Sequence, residues 1–125
     1  MYFTNQWNTV RNGPFSTAIK PVSCHDMVHF IQEVTEEQLN SILDKIGECV
    51  KRAQSAGVDI IEVHGDRLIG SFCSTLINRR TDSYGGSFEN RIRFALRVVD
   101  KIREVAPDIC IDYKLPVVTE NPLRG

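Results

Sequence analysis

Two stretches of the chain carry apolar residues at helical spacing, and each is followed closely by a short β-branched run. In the first, Leu39, Ile42, Leu43, Ile46, Val50 and Ala53 share a face, with Asp44, Lys45, Glu48, Lys51 and Arg52 elsewhere. That period predicts an amphipathic helix. Thr35-Glu36-Glu37-Gln38 marks its start as a capping box, the Thr35 hydroxyl accepting from the N3 amide while Gln38 reaches back. Glu36 and Glu37 also suit the positive end of the helix dipole. Ala56-Gly57 supplies the stop, giving about 22 residues and a length of roughly 33 Å. A strand over residues 58–63 follows at once.

In the second stretch Ser87 is the expected N-cap, and Ile92, Ala95, Val98, Val99, Ile102 and Val105 share a face. Pro107-Asp108 breaks this helix, and residues 109–115 read as another strand, ended by Pro116. Residues 64–86 between the units read as one polar, basic loop. The order helix, strand, loop, helix, strand predicts a parallel pair with a right-handed crossover. Residues 1–34 show no sustained period. Asn12-Gly13-Pro14 marks a turn there, and a second proline follows at Pro21. The chain therefore divides into an irregular segment over 1–34 and a patterned α/β segment over 35–125. Parallel sheets need both faces covered, which two strands and two helices cannot achieve, so the fold reads as an incomplete α/β architecture.

Composition narrows the classes. Fifteen Lys+Arg against 16 Asp+Glu leave a formal charge of -1, against the clustered positive charge of a nucleic-acid or membrane-surface protein. No apolar run approaches the ~20 residues of a membrane helix. Cys24, Cys49, Cys73 and Cys110 are spread singly, unlike a zinc site, an iron–sulfur site or a disulfide scaffold. The expectation is a reduced, cytoplasmic protein.

Candidate chemistry belongs at the carboxyl ends of parallel strands. His64 follows the first strand directly, where it can hydrogen-bond a substrate carbonyl or shuttle a proton, or simply bond within its loop. Lys114 lies in an otherwise apolar strand. It is either an edge lysine or a cation facing an anionic cofactor or intermediate. Tyr84-Gly85-Gly86-Ser87 reads as a turn with an N-cap, with a phosphate cradle as the competing interpretation. Arg79, Arg80, Asp82, Glu89, Arg91 and Arg93 read as an internal ion-pair network fixing the loop to the helix, with a charged binding surface as the competing interpretation. Asp66 and Arg67 are expected to pair with each other. Cys73 reads as packing rather than as an activated thiolate. Trp7, beside Asn5 and Gln6, is compatible with a ligand-stacking edge.

Two runs carry a family resemblance. Ala56-Gly57-Val58-Asp59-Ile60-Ile61-Glu62-Val63-His64-Gly65 resembles the fourth barrel strand of the Old Yellow Enzyme family, the flavin-dependent ene reductases and NADH:flavin oxidoreductases. Asn78-Arg79-Arg80-Thr81-Asp82-Ser83-Tyr84-Gly85-Gly86-Ser87-Phe88-Glu89-Asn90-Arg91 resembles that family's long loop leading into the fourth helix. The resemblance implies a partial (β/α)8 TIM barrel, with two parallel strands and two long helices from its middle. It implies FMN as cofactor, NAD(P)H as reductant, and a small-molecule activated alkene or enoate as acceptor. By position His64 matches the histidine that bonds the acceptor's electron-withdrawing group, and Lys114 a position usually held by arginine beside the flavin N1–O2 edge.

The sequence also departs from the family. Arg67 stands where many members have Asn or His three residues after the histidine, and the following stretch is two residues shorter and lacks a tyrosine that often supplies the proton. Arg67 then reads as a contact for a substrate carboxylate. The family barrel needs ~250 residues, so the chain reads as a central piece of one, completed by remaining barrel segments or by further copies. The competing interpretation is a non-catalytic α/β segment that acts only within a larger assembly.

Overall fold

The computed structural model describes residues 15–16 and 32–115. The stacking edge at Trp7, the turn at Asn12-Gly13 and the strand stop at Pro116 lie outside them. Within the segment read as irregular, β1 (Phe15–Ser16) pairs in parallel with β2 (Gln32–Glu33). Then come α1 (Glu36–Ser55), β3 (Ile60–His64), α2 (Arg67–Cys73), α3 (Phe88–Val105) and β4 (Cys110–Lys114).

The first helix forms where its sequence places it. Thr35 Oγ1 accepts from the Gln38 amide at 3.2 Å, and Gln38 Oε1 accepts from the Thr35 amide at 2.8 Å, so both halves of the box are closed. Gly57, at φ 80°, makes the left-handed step into β3. Thr35→Ala is expected to lower stability by about 1 kcal/mol, read from the urea midpoint, with Thr35→Ser restoring most of it. A midpoint unmoved by the alanine would mean that the box carries no weight.

β3 and β4 are parallel and in register from Ile60 opposite Cys110 to His64 opposite Lys114. Their alternation gives the sheet two unlike faces. Ile61, Val63, Ile111 and Tyr113 pack against the core formed with the helices. Ile60, Glu62 and His64 on β3, with Cys110, Asp112 and Lys114 on β4, form the exposed face. Read upward toward the carboxyl ends, the exposed rungs are Ile60/Cys110, Glu62/Asp112 and His64/Lys114.

The deepest packing is aromatic. The Phe72 ring centroid lies 5.1 Å from that of Phe94 and 5.7 Å from that of Tyr84, and both phenylalanines are fully buried. Phe94 belongs to the stripe Phe94, Val98, Ile102 that α3 buries, a rotation from the face expected from its aliphatic residues. On α1, Leu39, Leu43 and Val50 are buried, whereas Ile42 and Ile46 are half-buried. They line a groove of about 480 Å³, with Ile61, Val63 and Ile69 among its other walls. β3 has one strand neighbour among the described residues, β4, and its opposite edge is unpaired among them.

The stretch expected to be one loop contains α2. Its seven residues are too few for a period to show, its N-cap Asp66 makes no side-chain cap bond, and Gly70 sits inside it. The remainder, residues 74–87, is held by side chains reaching backbone carbonyls. Asn78 Nδ2 donates to the carbonyls of Phe72 and Tyr84, each at 2.7 Å. Arg91 donates to Cys73 and Gly86, Arg93 to Ser83, and Asn90 Nδ2 to Gly85. Within the charged group the ion pair the structure shows is Arg80–Asp82, so the expected ion-pair network is chiefly a set of carbonyl contacts. Long-range ties run from Arg97 to Glu36 at 2.8 Å and from the Tyr84 hydroxyl to Glu36 at 3.0 Å. Among the described residues no helix is long and apolar enough to cross a membrane.

Candidate active site

Two strands that end together deliver two side chains to one place. His64 closes β3, Lys114 closes β4, and the pair are register partners on the exposed face. Lys114 Nζ lies 3.2 Å from His64 Nε2. The backbone fixes that level, because the Gly65 amide donates to the Lys114 carbonyl at 3.0 Å. A Cβ on Gly65 would sit 2.4 Å from the same oxygen and 2.7 Å from the Tyr113 ring, which explains glycine beside the histidine.

Asp66 and Arg67 part company. Asp66 Oδ2 lies 3.6 Å from His64 Nε2, and no Asp66–Arg67 ion pair forms, contrary to the sequence expectation. The Asp66 carboxylate is available for this because it does not cap α2. Arg67 has φ 57°, a left-handed backbone uncommon outside glycine, and it is exposed. Its guanidinium makes no hydrogen bond or ion pair among the described residues, nor does the structure bring it into contact with His64 or Lys114. The sheet thus gathers His64, Lys114 and Asp66 and leaves Arg67 at the edge of the mouth.

Neither described tyrosine is placed to protonate a ligand on this face. Tyr113 alternates to the core side of β4, where burial pushes its hydroxyl up. Tyr84 is bonded to Glu36 and Arg97, and burial followed by the Glu36 contact pushes it up as well. Burial likewise pushes the Cys73 thiol up, against a smaller downward pull from Arg91, as befits a packing residue. At Tyr84-Gly85-Gly86-Ser87 the Gly85 amide is taken by the Asp82 carbonyl, and Ser87 Oγ accepts from Asn90, so the segment is a turn and cap.

A cation at the carboxyl end of β4, exposed and without a carboxylate ion pair among the described residues, fits an anionic flavin edge. Known proteins give that mouth a context. The profile of the NADH:flavin oxidoreductase / NADH oxidase family matches residues 5–121. The chain belongs to this family. A bilirubin reductase from Clostridium symbiosum (strain WAL-14163) is 43% identical over 96 residues, covering 77% of the chain and 26% of that protein. An NADH oxidase from Thermoanaerobacter brockii is 38% identical over 108 residues, 84% of the chain and 17% of that protein. Morphinone reductase in complex with tetrahydroNAD superposes with a TM-score of 0.61 at 38% identity, over 67% of the chain and 24% of its own. The chain spans about a quarter or less of the length of these relatives. Its fold is that of a partial (β/α)8 barrel of the Old Yellow Enzyme type. For this family FMN is the implied cofactor and NAD(P)H the implied reductant. The exposed sheet face is then the barrel interior, and the His64/Lys114 rung lies at its mouth.

Proposed function

We propose that the chain is the central part of a cytoplasmic FMN-dependent barrel enzyme passing hydride from NAD(P)H to an activated C=C bond. The carrying observation is the His64/Lys114 rung at the carboxyl ends of neighbouring parallel strands. FMN, when bound, supplies the two-electron hydride carrier. Lys114 would hold it by placing a cation beside its anionic edge, a point charge in place of arginine's planar fork. His64 bonds the acceptor's electron-withdrawing oxygen as negative charge develops there, which stabilises the transition state. Residues 1–34 would form a barrel loop, and residues 35–125 the central βα units.

Arg67 supports a narrower acceptor class. A guanidinium at the rim that is unpaired among the described residues suits a carboxylate, and hence an alkene that carries one. Similarity to a bilirubin reductase points the same way, since bilirubin bears propionate carboxylates beside conjugated C=C bonds. Arg67→Ala in the enzyme that carries this segment should raise KM for carboxylate-bearing alkenes while sparing neutral ones. Equal losses on both would sink the carboxylate assignment. His64→Ala should slow alkene reduction by roughly 10²–10³-fold.

The edge of β3 left unpaired among the described residues, and the apolar groove beside it, favour completion of the barrel by further segments, so the intact assembly is the catalyst. Absorbance in the flavin bands after FMN addition separates the readings. A chain that stays colourless alone but turns yellow with the remaining barrel supports completion. Neither form taking up FMN would favour a non-catalytic segment.

A further inference from the structure

One imidazole nitrogen in this structure has two neighbours with opposite demands. His64 Nε2 faces Lys114 Nζ at 3.2 Å and Asp66 Oδ2 at 3.6 Å. An ammonium has donors only, so it can bond Nε2 only where that atom offers a lone pair. A neutral ring bonded in this way carries its single proton on Nδ1. The carboxylate asks for the reverse, a proton on Nε2. At 3.2 Å the lysine is near hydrogen-bond range, whereas the aspartate at 3.6 Å is beyond it and within ion-pair reach.

The geometry points to Lys114 as a positioning residue that fixes neutral His64 in its Nδ1–H form. Its relevance to catalysis rests on the flavin-enzyme reading above. The tautomer of an imidazole follows from the bond its other nitrogen makes, and here the backbone enforces that bond. His64 and Lys114 are register partners, and the Gly65 amide closes the ladder one residue beyond on the Lys114 carbonyl.

A functional consequence follows. Neutral His64 presents Nε2 as an acceptor, so it cannot donate through that atom to an acceptor's oxygen. Moving Lys114 toward an anion reverses this: the bond to Nε2 is lost, the single ring proton can sit on Nε2, and Asp66 becomes the favoured neighbour. The other charged groups near this exchange are Glu62 and Asp112 one rung below, Lys45 on the wall of the adjoining groove, and Arg67 at the rim. The donor function of His64 and the freedom of Lys114 are therefore gained together.

The test needs no flavin. The full chain, with 15N-labelled histidine, is examined by long-range 1H–15N correlation at a pH where its ring shifts no longer move. His64 is identified against His25 and His29 by the signal lost in His64→Gln. The native ring should appear as Nδ1–H with an unprotonated Nε2. Lys114→Met should transfer the main population to Nε2–H, and Lys114→Arg should retain Nδ1–H. A native ring in the Nε2–H form would overturn the inference, as would a Lys114→Met spectrum identical to the native one. If Lys114→Met fails to fold, the native spectrum decides alone. A protein that shows Nδ1–H but takes up no FMN even with the rest of the barrel would sink the flavin reading and leave this pairing standing.

Discussion

Replacing Arg80 with alanine is expected to destabilise the chain by roughly 3–5 kcal/mol, enough to erase much of a small domain's stability. Its side chain is 4% exposed. The guanidinium lies over Phe72 and Tyr84, 5.6 and 5.8 Å from their ring centroids. Nη1 donates to the Val34 carbonyl at 2.8 Å, and Nε and Nη2 engage the Asp82 carboxylate. Truncation would strand that buried carbonyl, at about 1–3 kcal/mol, and open a void beside the central aromatic ring. Arg80→Lys keeps the charge but loses the planar fork, so it should recover little. A denaturation midpoint within error of the native value would refute this account.

The same contact sets an acid limit. The hydrogen bond from Arg80 holds the Asp82 carboxyl below the usual carboxylate range. A carboxyl depressed on folding stabilises the protein above the unfolded value of about 3.9 and loses that contribution as pH falls through its folded value. Asp82 is half exposed, so solvent screening limits the size of the effect. Asp82→Asn should flatten the stability profile below about pH 4, in the window set by those two values.

Gly85→Ala should be the most damaging single-methyl change in the loop. A Cβ there would lie 1.9 Å from the Arg80 carbonyl oxygen and 2.5 Å from its carbon, both backbone atoms. Relief requires opening the turn, with loss of the Gly85–Asp82 backbone bond and displacement of the carbonyl that Asn90 holds. The cost should reach or pass the upper end of the usual 1–3 kcal/mol for overpacking. Gly86→Ala is the control. It has φ 80° and nothing within 4 Å of the added methyl, so left-handed strain of about 1–2 kcal/mol is its whole cost. Comparable midpoint shifts for the two variants would show that close approach is not what Gly85 provides.

These contacts mark where the sequence was readable. The first helix and its cap could be located because Thr35, Gln38 and Gly57 act on neighbours a few residues away. The strand ends were nearly as plain, and with them the positions of His64 and Lys114. Their mutual contact was not, because it depends on a register between residues 50 apart. Charged side chains in the 79–91 run advertised ion pairs, yet the groups most in need of partners there are carbonyls, which every residue carries alike. Phe94 was passed over because aliphatic spacing described a neighbouring face, whereas the position opposite Phe72 selects the buried one. Arg67 was expected to neutralise Asp66 from the adjacent position, but its left-handed backbone and the nearby histidine decide otherwise.

The three exposed rungs also describe an electric field. Along the sheet, apolar Ile60/Cys110 gives way to acidic Glu62/Asp112 and then to His64/Lys114, with successive levels roughly 6.6 Å apart. An anion entering from the mouth meets attraction first and repulsion one level further in. On the proposed reading the acidic level would serve as a depth stop, holding a negatively charged ring or carboxylate at the level of the histidine.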